Sequence, residues 1–233
     1  MKRDFIPIQR IERAAYKVLA DYGESYGRIA IPPIPVEEIL ECQLDLAMDF
    51  DDLAVRFGSD DVLGASFIDK GSVVFDMSLD PEENPQREGR YRFTVAHEAG
   101  HWVLHVPQIL AERKQPTLFD LGEPPPPIVC RSSQSKEPRE WQADSFAGFL
   151  LMPEHMIREA WQELGSDDGA LNVHEEICEL RGVYGLTDDE LDPSCEAAKR
   201  MARYFNVSAQ AMQIRLVGLK LLDTEPPQHG GIF

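Results

Sequence analysis

Residues 8–22 carry apolar side chains at Ile8, Ile11, Ala15, Val18 and Leu19, a spacing that predicts a helix with one buried face, stopped at Gly23. The run Ile31-Pro-Pro-Ile-Pro35 excludes helix, because each proline restricts its predecessor and removes a backbone donor. Pro35 suits a first helical turn, so a short helix is predicted over 36–41. Strand candidates follow at 44–50 and 53–57, then at 63–68 and 72–77, where Asp69-Lys70-Gly71 turns a hairpin. Together they predict a small antiparallel or mixed sheet of about three strands.

A polar, proline-containing loop over 80–89 leads into a buried helix predicted over 91–105. The helical pattern fails from Val106, and Glu123-Pro-Pro-Pro-Pro127 predicts extended chain to about Pro138. Loops of such length inside a domain are usually functional or disordered, and this one is expected to form a mobile lid or rim. Helices are predicted again over 139–151 and 154–164. Breaks at 165–169 and 184–192 divide the last third, and helices over 194–204 and 208–222 are joined by Phe205-Asn206-Val207. The fold class is therefore α+β, with helices packed on a small sheet and a mostly helical C-terminal part. The expected domains are a main domain at 1–164, a helix-turn-helix-like region at 165–223 and a flexible tail at 224–233.

With 233 residues the chain can bury one sizeable core. The first ten residues lack the apolar run of a signal peptide and nothing later approaches a membrane span, so a cytoplasmic protein is expected. A formal net charge of −18 argues against non-specific attraction to nucleic acid and favours a basic partner. Cys42, Cys130, Cys178 and Cys195 are widely scattered and form no CxxC pair, so the sequence suggests neither a disulfide framework nor a cysteine zinc knuckle and they read as buried or idle thiols. Cys130, ten positions before Glu140, is also placed to offer a thiolate to an open metal position.

His97-Glu98-Ala99-Gly100-His101 carries the chemistry. On a helix, positions i and i+4 share a face, so both imidazoles can reach one ion while Glu98 projects beside it as a general base. A second predicted helix carries Glu140-Trp-Gln-Ala-Asp144, again an i, i+4 pair. There the first carboxylate can ligate and Asp144 can accept the free N–H of a ligating histidine. Both acids also suit the first turn of a helix with no metal at all. Trp102 and Trp141 are expected to pack the two helices together, and Tyr91, His105 and His155 are candidate oxyanion donors.

The segments Arg90-Tyr-Arg-Phe-Thr-Val-Ala-His-Glu-Ala-Gly-His101 and Glu140-Trp-Gln-Ala-Asp-Ser-Phe-Ala-Gly-Phe-Leu-Leu-Met-Pro153 closely resemble the ImmA/IrrE family of metallo-endopeptidases. The likeness extends over about residues 36–219 and includes Phe205-Asn-Val-Ser208 and Arg215-Leu216. It implies Zn2+ held by His97, His101 and Glu140, with Glu98 catalytic and a helix-turn-helix transcriptional repressor as the protein substrate. The chain departs from the family in its long stretch over 106–139. Two other readings remain: a zinc-site regulator that binds a repressor without cutting it, and a DNA-binding regulator. The second would use the basic residues Lys199, Arg200, Arg203, Arg215 and Lys220, although Ala211, Ile214, Leu216, Val217, Leu219 and Leu221 leave the last helix few positions that are not given over to packing.

Overall fold

The computed structural model describes residues 5–113, 126–131, 137–163, 170–187 and 191–227. The chain divides into two compact units, Met1–Leu151 and Met152–Phe233.

The first unit opens with α1 (Ile8–Tyr26), which buries Ile11, Ala15, Val18 and Tyr22 along one stripe. It runs past Gly23, the stop expected from sequence, because one helical glycine costs only about 1 kcal/mol. The helix ends instead at Gly27, whose φ of 105° few other residues adopt. A single turn, α2 (Val36–Glu38), continues into a π-helical turn at Ile39–Gln43.

The sheet contains β1 (Ala47–Asp51), β2 (Val62–Phe67), β3 (Ser72–Asp76) and β4 (Ile128–Arg131), in the order β1-β3-β2-β4. β1 runs parallel to β3, and β2 is antiparallel to both β3 and β4. Residues 53–57, expected as a strand, form the short helix α3 (Leu53–Phe57). Its ends explain the difference: the Asp52 side chain accepts from the Val55 N–H, and Gly58 closes the helix in the left-handed conformation. Leu53, Val62 and Val74 form a cluster joined by Phe57, Phe67 and Val129, so α3 covers one face of the sheet.

The opposite face packs on α4 (Glu88–Leu104), where Phe50, Phe75 and Tyr91 form a three-ring contact with centroids 5.6–6.0 Å apart. The stretch after α4 differs from expectation twice. Residues 106–113 form a helix, α5 (Val106–Arg113), since Pro107 falls in the first turn where a missing N–H does no harm. Ile128–Arg131 then adds the fourth strand to the sheet. Residues 114–125 and 132–136 of the expected lid lie outside the described residues. α6 (Pro138–Leu151) packs against both α4 and α1 and completes the core of this unit.

The second unit contains α7 (Glu154–Glu163), α8 (His174–Tyr184), α9 (Glu196–Phe205) and α10 (Ala209–Gly218). α8 carries no strong apolar stripe and was not anticipated from the sequence. Asn206, at φ 50°, ends α9, and Ser208 caps α10 by accepting from the Ala211 N–H at 3.1 Å. α10 stops at Gly218 rather than 222, because Lys220 turns left-handed and β6 (Leu222–Asp223) pairs in parallel with β5 (Leu171–Asn172). The break expected at 165–169 lies outside the described residues, as does most of the expected tail. Among the described residues no helix is long and apolar enough to cross a membrane.

Candidate metal centre

α4 presents His97 and His101 one turn apart on the same face, with their Nε2 atoms 2.9 Å from each other. α6 crosses α4 at close range because residue 100 is glycine. A Cβ there would stand 3.1 Å from Ala143 Cα and 3.2 Å from its carbonyl oxygen. The crossing brings Glu140 to the histidine pair, with Oε2 3.3 Å from His97 Nε2 and Oε1 3.3 Å from His101 Nε2. All three side chains are buried.

The hydrogen bonds on the far side of each ring set where its lone pair points. His97 Nδ1 lies 2.8 Å from Asp144 Oδ1, so it carries the proton and donates it to that carboxylate. Gln142 Oε1 accepts from His105 Nε2 at 3.1 Å, which leaves His105 Nδ1 as an acceptor for His101 Nδ1–H at 2.9 Å. Burial, with His101 beside it, lowers the His105 imidazole to about 4 and so keeps it neutral in this acceptor role. In their neutral forms these two histidines therefore aim an Nε2 lone pair at the Glu140 carboxylate, and three electron-rich groups facing one another require a cation between them, a proton on an imidazole or a metal ion.

Distances support that requirement. Nitrogen and oxygen ligands about 2.0–2.1 Å from one tetrahedral ion lie roughly 3.3–3.4 Å apart. Both histidine–Glu140 separations, at 3.3 Å, match that edge. The 2.9 Å histidine–histidine contact is shorter and would open by a few tenths of an ångström. Burial by itself would raise the Glu140 carboxyl, but when the imidazoles carry a proton on Nε2, hydrogen bonds from His101 and His97 hold it down to about 2. The residues present fit a divalent metal.

Glu98 lies on the sheet side of α4 and is fully buried. Ser66 of β2 donates its hydroxyl to Glu98 Oε2 at 2.5 Å, while Oε1 has no hydrogen-bond partner among the described residues. The space Oε1 occupies exists because residue 64 is glycine, where a Cβ would lie 2.7 Å from it. Burial raises the Glu98 carboxyl, against the pull of His101, His97 and Ser66.

Cys130 of β4 is buried at the same place, with its sulfur and ligand atoms of His97 and Glu140 all within 4.8 Å of one another. A cavity of about 360 Å³ adjoins the centre, walled by His101, His105, Ile109, Ile128, Val129 and Glu140.

His97, Glu98, His101 and Glu140, all read from the sequence, thus come together in one buried cluster, with Asp144 half-exposed at its edge. His105 has both ring nitrogens engaged and supports His101 rather than serving as an oxyanion donor. Tyr91 is held in the ring cluster with Phe50 and Phe75, and His155 is an exposed residue of α7 in the second unit. Trp141 does not pack α4 against α6: it is 41 % exposed and stacks on Phe5, with ring planes 7° apart. In α10, Ile214 is 63 % exposed and Val217 is exposed as well, so fewer of its apolar residues pack than its sequence implied. Sequence reading missed Ser66, Gly64 and Gln142, whose roles depend on strand pairing and helix crossing far along the chain.

No curated protein sequence matches the chain. A solved structure described as a Mycobacterium tuberculosis transcriptional regulator resembles it at 15 % identity with a TM-score of 0.47, over 97 % of this chain and 54 % of that one. The chain thus spans about half the length of that protein. Residues 82–217, more than half of the chain and including α4 and α6, match the peptidase family described as the IrrE N-terminal-like domain, and the chain belongs to that family.

Proposed function

We propose that this protein is a zinc-dependent endopeptidase in which His97, His101 and Glu140 hold the metal and Glu98 acts as general base. The observation that carries the proposal is the approach of Glu140 Oε1 and Oε2, from a separate helix, to 3.3 Å from the Nε2 atoms of both histidines. When bound there, zinc acidifies a water molecule and polarises the carbonyl oxygen of the bond to be cut.

The protein's own groups do the rest. Asp144 and the His105–Gln142 pair hold the two imidazoles in the tautomers that leave Nε2 free. Ser66 anchors one oxygen of Glu98, so the other is free to take the proton of water and return it to the leaving amine. Burial suits this task because a raised carboxyl pKa makes Glu98 a better proton acceptor and a usable donor. The adjoining cavity of about 360 Å³ has the size of a small binding pocket and can receive a substrate side chain.

For the substrate we propose a basic, helix-turn-helix transcriptional repressor, met in the cytoplasm. A net charge of −18 favours encounter with a positively charged protein and disfavours nucleic acid. The test mixes the purified protein with a panel of such repressors and identifies fragments by mass spectrometry. The wild type is expected to cut one of them. Glu98→Gln is expected to keep its metal and to lose cleavage by a factor on the order of 10²–10⁴. An undiminished rate in that variant removes the assigned base, and a repressor held without being cut favours a regulator that acts by sequestration.

A further inference from the structure

Strand register determines which side chains of β4 look at the metal centre. Cys130 pairs with Gly64, and Ile128 pairs with Ser66, across an antiparallel ladder. Directly opposed residues project to the same face of a sheet. The Gly64 and Ser66 positions face Glu98, as the Gly64 Cβ position and the Ser66 hydrogen bond establish. Cys130 and Ile128 therefore face α4 too, while Val129 between them turns to the α3 side. The irregularity between Val62 and Gly64 sets this phase, since Val62 pairs with Arg131 and Gly64 with Cys130.

We propose that Cys130 is a fourth protein ligand of the metal and that its thiolate closes the centre into a latent state. This rests on the metal site proposed above and adds the control of that site. The sulfur, a nitrogen of His97 and an oxygen of Glu140 lie within 4.8 Å of one another, so a shift of about 1 Å or less brings the sulfur to the roughly 3.5–3.6 Å that separates such ligands on one tetrahedral ion. Cys130 is also not alone in facing the metal pocket. The fully buried Glu98 Oε1, without a partner among the described residues, points at Gly64, the residue paired with Cys130. With two imidazoles, a carboxylate and a thiolate in place, a tetrahedral ion has no position left for water. Structural sites are closed in this way, whereas catalytic ones keep a corner open. Cleavage then requires Cys130 to withdraw and water to replace it beside Glu98. Closing the site would form one metal–sulfur bond, displace the water from the ion and release the thiol proton to solvent, and opening reverses all three changes without oxidant or reductant.

Cobalt(II), used in place of zinc on the full chain, tests this. The wild type is expected to take up roughly one cobalt and to show the near-ultraviolet thiolate-to-cobalt charge-transfer band. Cys130→Ser is expected to keep the cobalt and lose the band, while the double variant Cys42→Ser/Cys178→Ser keeps both. A wild-type protein that binds cobalt without the band, or a band that survives in Cys130→Ser, overturns the proposal and leaves the three-ligand site standing. A protein that binds no cobalt overturns both. Iodoacetamide labelling of the unmutated chain, read by mass spectrometry, is independent of how the variants fold. Metal is expected to protect Cys130, and equal labelling with and without metal contradicts its role as a ligand.

Discussion

A methyl group on Gly100 would stand 3.1 Å from the Cα of Ala143, so the crossing of α4 and α6 depends on the absence of a side chain there. Phe146 Cβ, at 3.2 Å, crowds the same position, and no flexible side chain could yield instead. Gly100→Ala is expected to destabilise the protein by about 1–3 kcal/mol, the usual cost of overpacking. It should also move Glu140 away from the histidines and weaken metal binding. Chemical denaturation alongside metal titration measures both effects. A variant with wild-type stability and affinity contradicts the close crossing.

Gly64 does for the base what Gly100 does for the ligands. An alanine there would place its Cβ 2.7 Å from Glu98 Oε1, and the fully buried carboxylate has little room to retreat. Gly64→Ala is therefore expected to keep the metal while lowering the cleavage rate by about 10²-fold, the cost of misplacing a catalytic group by about 1 Å. Steady-state rates and metal content of the same preparation provide the check. A normal rate would show that Glu98 needs no fixed position against β2.

Metal uptake should release protons. Burial opposes protonation of His97, but Cys130, Asp144 and Glu140 outweigh it and raise this imidazole well above its ordinary value. A metal can bind only the neutral ring, so the bound proton competes below the raised pKa and affinity increases as pH rises through it. Titration calorimetry in two buffers of different ionisation enthalpy is expected to report roughly two protons released per metal at neutral pH, one from His97 and one from the Cys130 thiol, and roughly one in Cys130→Ser. Affinity that is independent of pH with no proton release contradicts the assignment.

What the sequence disclosed of this centre was whatever helix periodicity alone encodes. His97 and His101 share a face because they are four residues apart, and Glu140 and Asp144 repeat that spacing on α6. Both pairs could be read without knowing how the chain folds back. Ser66 is 32 positions from Glu98 and Gln142 is 37 from His105, and nothing local links either pair. Their meeting follows from strand order and from the Gly100 crossing. Cys130 was visible as a nearby thiol, but its direction is set by the β2–β4 register, and β4 itself was hidden behind a proline run. At α3 the apolar residues suited either strand or helix, and the Asp52 and Gly58 caps decided the outcome.

Metal content of the purified wild type, measured beside Glu140→Ala by elemental analysis, tests most directly whether α4 and α6 share one ion. The wild type and Cys130→Ser are expected to hold roughly one zinc per chain, and Glu140→Ala made in the Cys130→Ser background to lose most of it while remaining folded by circular dichroism, since only two imidazoles are then left to hold the ion. A folded Glu140→Ala protein that, in that background, retains zinc as tightly as the wild type would contradict the shared site.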